Sequence, residues 1–259
     1  MKILPKGSAK PPRILLYSVE GLGKSSFGAS AIAPIFIQTE DGLDEIDAQR
    51  FPKSKSFEEV MAAIRYLYEN DLPYKTLVID TIDWLESLIW QSVCERHKKN
   101  SIEDFGFAKG YKFAMDEWSR LLSALTAMRE EKGYAVILLA HAEIKRFDSP
   151  DTEPYDRYRI KLHGEAAAKL TEWCDAVLFA NYFVTTEKND VGFNRKVVRG
   201  VGGGDRIMYT EERPAFRAKN RYSLPSELPF IKGEAWNTLV SAIVAGRQNN
   251  SLSIITEEK

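Results

Sequence analysis

Short apolar runs recur along the chain, and each is followed by a turn or by a more polar stretch. Four of them predict buried strands, because a strand covered on both faces is apolar throughout rather than alternating. These strands are predicted at residues 13–18, 34–39, 75–80 and 134–140. Continuous runs of this kind are typical of a parallel sheet with helices on its two faces.

Between these runs, apolar residues recur at spacings of three and four, which is the period of a helix with one buried face. Residues 57–70 show it most clearly, and further helices are predicted at residues 24–32, 84–98, 112–131, 165–174 and 234–245. Later, residues 176–186 and 195–201 predict strands of a hairpin or meander around a turn at 188–192. We therefore expect an α/β fold with a mostly parallel central sheet, helices on both faces and antiparallel strands at the C-terminal side.

Length and composition fit one domain. Of 259 residues, 44% are hydrophobic and 28% are charged, which supplies enough apolar side chains for a single core. No apolar stretch approaches the roughly 20 residues of a membrane helix, and the first residues lack the apolar segment of a secretory signal. We expect one cytoplasmic domain over residues 1–259 with no membrane partner, an N-terminal extension at 1–12 and a mobile polar tail at 247–259. Neither Cys94 nor Cys174 belongs to a CxxC pair, so buried free thiols are expected.

Charge alone does not indicate a nucleic-acid partner, because the net charge is −1. Local excesses exist: residues 195–221 hold eight Lys/Arg against three acids, and residues 96–112 hold five against two. A run of charges is most often a solvated surface. Composition therefore leaves DNA contact open.

Residues 18–25 (SVEGLGKS) join a predicted strand to a predicted helix, as a phosphate-binding loop does. Glycines let successive backbone N–H groups turn toward phosphate oxygens, and the helix N-terminus favours the anion. Lys24 is expected to reach the β- and γ-phosphates, and the Ser25 hydroxyl is expected to hold Mg²⁺. The segment departs from the pattern G-x-x-x-x-G-K-[ST] at Ser18. The residues expected to contact nucleotide are Glu20, Gly21, Leu22, Gly23, Lys24, Ser25 and Ser26.

A carboxylate closes the third predicted strand, at Asp80. Strand ends of a parallel sheet share one edge with the phosphate loop, so Asp80 is expected to orient Mg²⁺ there with Ser25. Such an aspartate is often only a helix cap, and the phosphate loop upstream is what favours the metal role. The expected cofactors are ATP and Mg²⁺.

Further residues resemble RecA-type ATPases. Glu40 follows the second predicted strand, where those proteins carry the glutamate that activates water, and His141 ends the fourth strand, where they place a γ-phosphate sensor. Lys219 and Arg221 resemble the basic pair that RecA-like recombinases insert into a neighbouring subunit's ATP site. The resemblance implies a RecA-like P-loop NTPase core with catalytic roles for Lys24, Glu40, Asp80, His141, Lys219 and Arg221.

Residues 140–147, 162–175 and 213–221 resemble more closely phage ATP-binding proteins with a minimal RecA core. That group is associated with single-strand annealing and recombination. The resemblance implies a DNA-stimulated ATPase that acts on single-stranded DNA in the host cytoplasm and forms a homo-oligomer on DNA. A single-stranded DNA-binding protein is a further candidate partner.

Residues 145–161 are predicted to form a loop in which cations alternate with aromatic side chains. This composition suits single strands, because bases stack on rings while the backbone is neutralised. Its five cations face four acids, so an ordinary surface loop is the alternative. The residues expected to contact DNA are Lys109, Arg146, Phe147, Arg157, Tyr158, Arg159 and Lys161.

Two other functions stay open. A nucleotide or small-molecule kinase also needs a phosphate loop and mobile arginines. A non-hydrolysing, ATP-dependent DNA-binding module is consistent with Ser18 in the phosphate loop. Full recombinases polymerise through an element before the core, whereas here only residues 1–12 precede the first predicted strand, so the sequence does not predict a filament.

Overall fold

The computed structural model describes residues 10–190 and 196–256. Most of the predicted N-terminal extension, two residues of the predicted turn at 188–192 and the last three residues of the predicted tail lie outside the described residues. Strands and helices alternate from residue 13 onward, and antiparallel strands follow near the C-terminal side.

The strands in chain order are β1 (Arg13–Ser18), β2 (Pro34–Gln38), β3 (Gln49–Arg50), β4 (Thr76–Asp80), β5 (Ala135–Phe147), β6 (Tyr155–Ile160), β7 (Ala176–Tyr182), β8 (Thr185–Asp190), β9 (Lys196–Val201), β10 (Arg206–Tyr209), β11 (Lys219–Asn220) and β12 (Glu227–Pro229). The α-helices are α1 (Lys24–Ala29), α2 (Phe57–Glu69), α3 (Ile82–His97), α4 (Lys109–Glu131), α5 (Gly164–Trp173) and α6 (Ala235–Thr256). Two 3₁₀ turns, Ile102–Asp104 and Gly106–Ala108, precede α4.

Ten of these strands form one sheet in the order β12-β10-β7-β1-β5-β4-β2-β3, with β6 paired to β5 and β11 paired to β7. The central pairs, β7–β1, β1–β5, β5–β4 and β4–β2, are all parallel. The register sets Ser18 opposite His141 and Gln38 opposite Asp80. Because parallel strands run in the same direction, the phosphate loop, the ends of β2 and β4 and His141 within β5 come together at one edge.

Helices cover both faces of this sheet. Along β1, Leu15 and Tyr17 belong to a core shared with α2, α3, α4 and α5. Ile14 and Leu16 face the other way, into a core shared with α1 and α6. Alternate strand residues point to opposite faces, which is why one apolar strand serves two cores. The predicted α/β fold with a mostly parallel sheet is confirmed, and β10, β11 and β12 are the antiparallel strands at its C-terminal side.

The segment after residue 140 is a hairpin, so the prediction of a loop over residues 145–161 is wrong. β5 continues to Phe147 and pairs antiparallel with β6, from Ala142 opposite Ile160 to Phe147 opposite Tyr155. Ala142, Tyr158 and Ile160 pack against the core from one face of the hairpin. Beyond the fully buried part of β5, apolar and polar residues alternate, as in a strand with one face exposed to solvent. Residues 148–154 connect β5 to β6.

Other predicted elements are present with shifted ends. The predicted strand at 176–186 is divided, since β7 ends at Tyr182 and β8 begins at Thr185. The closing helix α6 continues to Thr256, where the sequence predicts a mobile tail from residue 247. After Gly246 the sequence has no glycine or proline that would end a helix.

Both cysteines, Cys94 and Cys174, are buried free thiols. Within the described ranges, no helix combines the length and the apolar character needed to cross a bilayer.

Candidate functional site

The loop between β1 and α1 has the backbone shape of an anion cradle. Gly21 and Gly23 have φ values of 71° and 114°, in the left-handed region that residues with a Cβ rarely adopt. This conformation turns successive N–H groups to one side, where they face an anion. Ser18, at the first glycine position of the motif, is fully buried, and its hydroxyl donates to the carbonyl of Val19 at 2.8 Å.

Lys24 directly follows Gly23 of this loop and is only 7% exposed. Burial lowers its pKa, whereas the carboxylates of Asp80 and Glu40 oppose that shift. No described residue forms a hydrogen bond or ion pair with its ammonium group. A buried charge without a direct partner is costly, and phosphate oxygens are the partner that this position suits.

Ser25 and Asp80 form the oxygen pair of the site. The Ser25 hydroxyl donates to Asp80 Oδ2 at 2.6 Å, and Asp80 is 3% exposed. Burial raises the pKa of Asp80, while the Ser25 hydrogen bond and the nearby Lys24 lower it. Hydroxyl and carboxylate oxygens are hard ligands, and Mg²⁺ typically takes one or two carboxylates together with substrate phosphates. These two side chains therefore fit a Mg²⁺ ion that is bound with a nucleotide.

Glu40 and His141 face each other across the same edge of the sheet. His141 Nε2 lies 4.0 Å from Glu40 Oε1. Burial raises the pKa of Glu40, whereas His141 opposes the shift. Both side chains and Lys24 line one cavity of about 270 Å³, which we call the phosphate cavity.

Asp83 fixes the ring of His141, and the sequence did not reveal it. Its two carboxylate oxygens contact the backbone N of His141 at 3.0 Å and the ring Nδ1 at 2.9 Å. Burial alone raises the pKa of Asp83, but the hydrogen bonds with His141 outweigh it and lower the pKa overall. Asp83 lies in the first turn of α3, and from the sequence an acid at this position is expected only to stabilise the helix dipole. Only the position of β5 beside β4 gives it a second role.

Not every residue predicted to contact nucleotide lines this cavity. Gly21, Gly23, Lys24, Ser25 and Ser26 do. In contrast, Leu22 is fully buried and packs in the core under α1, so its side chain faces away from the cavity. Glu20 is exposed and is not among the lining residues.

Arg206 and Lys232 also line the phosphate cavity, and sequence reasoning missed both. Arg206 pairs with Tyr182 at the end of β7, which brings β10 to the edge that holds the phosphate loop. Its Nη1 donates to the carbonyl of Leu22 at 2.8 Å. No local sequence pattern predicts that Arg206 lies at the phosphate cavity, because its location depends on the antiparallel pairing of β10 with β7.

Lys219 and Arg221 lie at the opposite edge of the sheet from Lys24. β11 pairs with Ala176 and Val177, the first residues of β7. Lys219 Nζ donates to the carbonyls of Thr171 at 2.7 Å and Cys174 at 3.0 Å, at the end of α5. Within one chain, this pair is therefore not brought to the phosphate cavity.

The β5–β6 hairpin (residues 142–160) divides the predicted DNA-contacting residues between two faces. Opposed residues of an antiparallel pair share a face, so Phe147, Arg157 and Arg159 lie on one face and Arg146 and Tyr158 on the other. Tyr158 packs on the ring of Phe179 with centroids 5.0 Å apart, which turns it toward the core.

Ion pairs occupy several of the hairpin cations. Arg157 contacts Glu212 at 3.0 Å and lies over the Phe147 ring, and its side chain is only 11% exposed. Arg159 contacts Glu143 at 2.9 Å. Lys161 is exposed just after β6, and Lys109 is exposed at the start of α4, outside the hairpin.

A second cleft of about 450 Å³ opens between α3 and the hairpin, and we call it the aromatic cleft. Its lining includes Trp84, Trp90, Lys145, Lys161 and His163. The ring of His163 stacks on Tyr111 with centroids 4.3 Å apart and planes within 7°, and Tyr111 meets Trp90 edge-on. Trp84 is 51% exposed. Asp83 also lines the cleft, so the acid that holds His141 of the phosphate cavity is itself a wall residue of the cleft.

Three comparisons show which known proteins this chain is similar to. The chain is 24% identical over 135 residues to the SPbeta prophage-derived uncharacterized protein YorG of Bacillus subtilis (strain 168), which covers 50% of this chain and 40% of that relative. It superposes on the crystal structure of the RadB recombinase with a TM-score of 0.48 at 14% identity, covering 87% of this chain and 90% of that one. An AAA domain family model matches residues 10–222. Because that match spans most of the chain, with the phosphate loop and Asp80 inside it, the chain belongs to the AAA domain family of P-loop NTPases.

Proposed function

We propose that this chain binds ATP with Mg²⁺ in the phosphate cavity and hydrolyses it. The observation that carries the proposal is the presence of Glu40 and His141 in the cavity that also contains Lys24 and Ser25. Transfer of a γ-phosphoryl group to water needs a residue that orients the water and cationic groups that stabilise the transferring charge. The cavity offers both within one subunit.

Glu40 is the residue that would orient and activate the water. Its burial raises the pKa, which makes the carboxylate a stronger base. His141 would sense the γ-phosphate through Nε2, because Asp83 already holds Nδ1. Asp83 is thus a positioning residue that acts through His141.

Mg²⁺ supplies neutralisation of charge on the phosphate oxygens when it is bound. Ser25 Oγ and the carboxylate of Asp80 are the oxygens of this chain that would hold it, 2.6 Å apart at the cavity. Lys24 would add a fixed positive charge, in a setting where burial strengthens its attraction to phosphate.

We further propose that the protein acts on single-stranded DNA in phage recombination or annealing and that ATP turnover drives this action. The aromatic cleft supports this, because base stacking on exposed rings together with cations along the strand is how single strands are held without sequence preference. Trp84 is half exposed, and Lys145 and Lys161 are exposed on the other wall. The prophage-derived relative supports a phage setting.

The contact of Asp83 with His141 gives a route from bound DNA to the phosphate cavity. A strand in the aromatic cleft contacts the same turn of α3 that fixes His141. A small movement of that turn changes the position of the γ-phosphate sensor. DNA binding is thereby expected to alter the rate of hydrolysis more than the affinity for ATP.

Phosphate release measured with and without single-stranded DNA tests the proposal. We expect release in the presence of Mg²⁺ and ATP, and a higher rate when DNA is added. ADP formation that depends on a nucleotide or small-molecule acceptor would instead favour a kinase. ATP binding without turnover under all conditions would favour a non-hydrolysing DNA-binding module.

A further inference from the structure

A third cavity lies between the β5–β6 hairpin and α5, and we call it the hairpin cavity. It measures about 200 Å³, whereas a cavity of about 150 Å³ is enough to hold a benzene ring. It meets the aromatic cleft at Lys145 and Arg159, which line both. The hairpin cavity therefore has room for one large apolar side chain or a group of similar size.

The apolar part of its lining comes from both elements. These residues are Phe147, Ile160, Leu162, Ala167 and Ala168. The ring of Phe147 is 36% exposed and lies 4.8 Å from the guanidinium of Arg157, which holds it in place. An apolar group inside the cavity would cover this partly exposed ring, and removing both from water is favourable.

The charged part of the lining is entirely cationic, since none of the described residues that line the cavity is an acid. The five cations are Lys145, Arg146, Arg157, Arg159 and Arg217. Glu143 and Glu212, outside the lining, contact three of them. Arg146 and Arg217 are exposed and form no ion pair with a described residue. These two arginines are therefore available to an anionic partner.

The same lining offers little to a nucleobase. Thr171 is the one neutral polar side chain among the described lining residues, and its hydroxyl donates to the carbonyl of Ala167 at 2.7 Å. Lysine and arginine side chains only donate hydrogen bonds, so the amino groups of an inserted base would find at most that one hydroxyl as a side-chain acceptor. A buried donor without an acceptor costs free energy, whereas a hydrocarbon or phenyl group has no donor to satisfy. The cavity therefore favours an apolar side chain over a base.

We propose that the hairpin cavity binds an acidic segment of a partner protein, with one large apolar side chain of that segment inside the cavity and its carboxylates at Arg146 and Arg217. The volume matches one side chain, and the cationic lining matches the charge of such a segment. Guanidinium groups bind carboxylates through two parallel hydrogen bonds, which favours arginine in this role. The site is separate from the proposed binding of ATP and DNA and does not depend on either.

Fluorescence anisotropy with two labelled peptides tests the proposal on the full chain. One peptide carries four aspartates followed by a phenylalanine amide, and the other has serine in place of phenylalanine. We expect the phenylalanine peptide to bind about tenfold more tightly or better, because its ring leaves water for the cavity. Arg146→Glu/Arg217→Glu is expected to weaken both peptides by about tenfold or more. The control Lys75→Glu/Lys132→Glu, at exposed lysines before β4 and β5, is expected to change neither.

Ala168→Leu fills the cavity without changing a charge. Ala168 is exposed within α5 and leucine is a good helix former, so the fold is expected to persist. We expect the affinity of the phenylalanine peptide to fall to that of the serine peptide. Ala62→Leu, at an exposed alanine within α2, is the matched control and is expected to bind both peptides as the wild type does.

Equal affinity of the wild type for the two peptides would overturn the proposal, because the cavity would then not hold a side chain. Absence of peptide binding at low salt would overturn it as well. A labelled oligothymidine supplies the remaining comparison: if Ala168→Leu weakens the oligonucleotide and leaves both peptides unchanged, the cavity serves nucleic acid instead. None of these results bears on whether the chain hydrolyses ATP, so the proposed function is tested separately.

Discussion

At the scale of single residues, the buried ammonium group of Lys24 is the group that most needs a phosphate as its partner. Its ammonium is buried, its pKa is lowered by that burial, and nearby carboxylates only partly compensate. Side chains buried for packing are normally apolar, whereas a buried, unpaired charge is retained for a function.

Lys24→Ala is expected to abolish ATP binding while the fold survives. The substitution removes a desolvated charge and no hydrogen bond, so thermal unfolding should occur near the wild-type temperature. Calorimetric titration with Mg-ATP together with a thermal melt checks both parts. Wild-type affinity in the folded variant would contradict the assignment of the phosphate cavity.

Glu86 is a second buried ionisable residue, on α3 one turn after Asp83. Burial raises its pKa to about 7, although the backbone N of His163 donates to it at 2.9 Å. The folded-state pKa therefore lies above the usual value of 4.5 for a glutamate. The folded protein holds this proton more tightly, so its stability falls as pH rises from about 4.5 to about 7.

Glu86→Gln is expected to remove this pH-dependent loss of stability. The amide oxygen still accepts the hydrogen bond from the backbone N of His163, but it carries no charge. From pH 5 to pH 7, the wild type should lose stability relative to the variant, by roughly 2 kcal/mol. Urea unfolding of both proteins at the two pH values measures the difference. A constant gap between wild type and variant would show that Glu86 does not titrate in this range.

At the scale of elements, the β5–β6 hairpin and α3 form the walls of the aromatic cleft. Lys145 and Lys161 are exposed on the hairpin side of the cleft, whereas the Arg157 side chain is only 11% exposed and contacts Glu212. Lys145 and Arg159 both contact Glu143, at 3.4 Å and 2.9 Å. Charge reversal at the two exposed lysines therefore disturbs no buried cation.

Lys145→Glu/Lys161→Glu is expected to weaken binding of single-stranded DNA and to flatten its salt dependence, because fewer counterions are released. The control is Lys75→Glu/Lys132→Glu, since both lysines are exposed before β4 and β5, at the opposite edge of the sheet. Fluorescence anisotropy with a labelled oligonucleotide at several salt concentrations compares the two. Equal weakening in both variants would mean that the cleft is not the DNA site.

Local patterns predicted the elements that carry most of the nucleotide site. The phosphate loop and Asp80 lie within short segments in which the residue types and their spacing along the chain predict the function directly. Asp83 and Arg206 could not be found in this way, because their roles depend on strands that pair far along the chain. The length of β5 was missed for a related reason: charged residues that look like a loop in sequence pair with β6 in space.

At the scale of the molecule, Lys219 and Arg221 lie away from the phosphate cavity of their own chain, so the catalytic role expected for them requires a second subunit. Lys219 is committed to carbonyls at the end of α5, whereas Arg221 is 52% exposed and 3.6 Å from Asp175. Asp175 also contacts Arg13 and Arg129. If Arg221 turned to a neighbour, Asp175 would keep its other two arginine partners, so Arg221 is the member that can move without leaving a buried acid unpaired.

Arg221→Ala mixed with Lys24→Ala is expected to hydrolyse more ATP than the two variants do separately. The Lys24→Ala subunit has an intact arginine to lend, and the Arg221→Ala subunit has an intact phosphate cavity. Turnover should also rise with protein concentration. Purely additive activity over a wide concentration range would show that the pair does not act between subunits.

The central claim is that the phosphate cavity hydrolyses ATP through Glu40. Single-turnover phosphate release by the wild type, Glu40→Gln and Glu45→Gln, with single-stranded DNA present, tests it most directly. Glu45 is an exposed acid in the same acidic segment and serves as the matched control. We expect Glu40→Gln to bind Mg-ATP normally but to release phosphate about 100-fold more slowly, while Glu45→Gln behaves as the wild type. Equal release by Glu40→Gln and wild type, or no release by the wild type, would contradict the account.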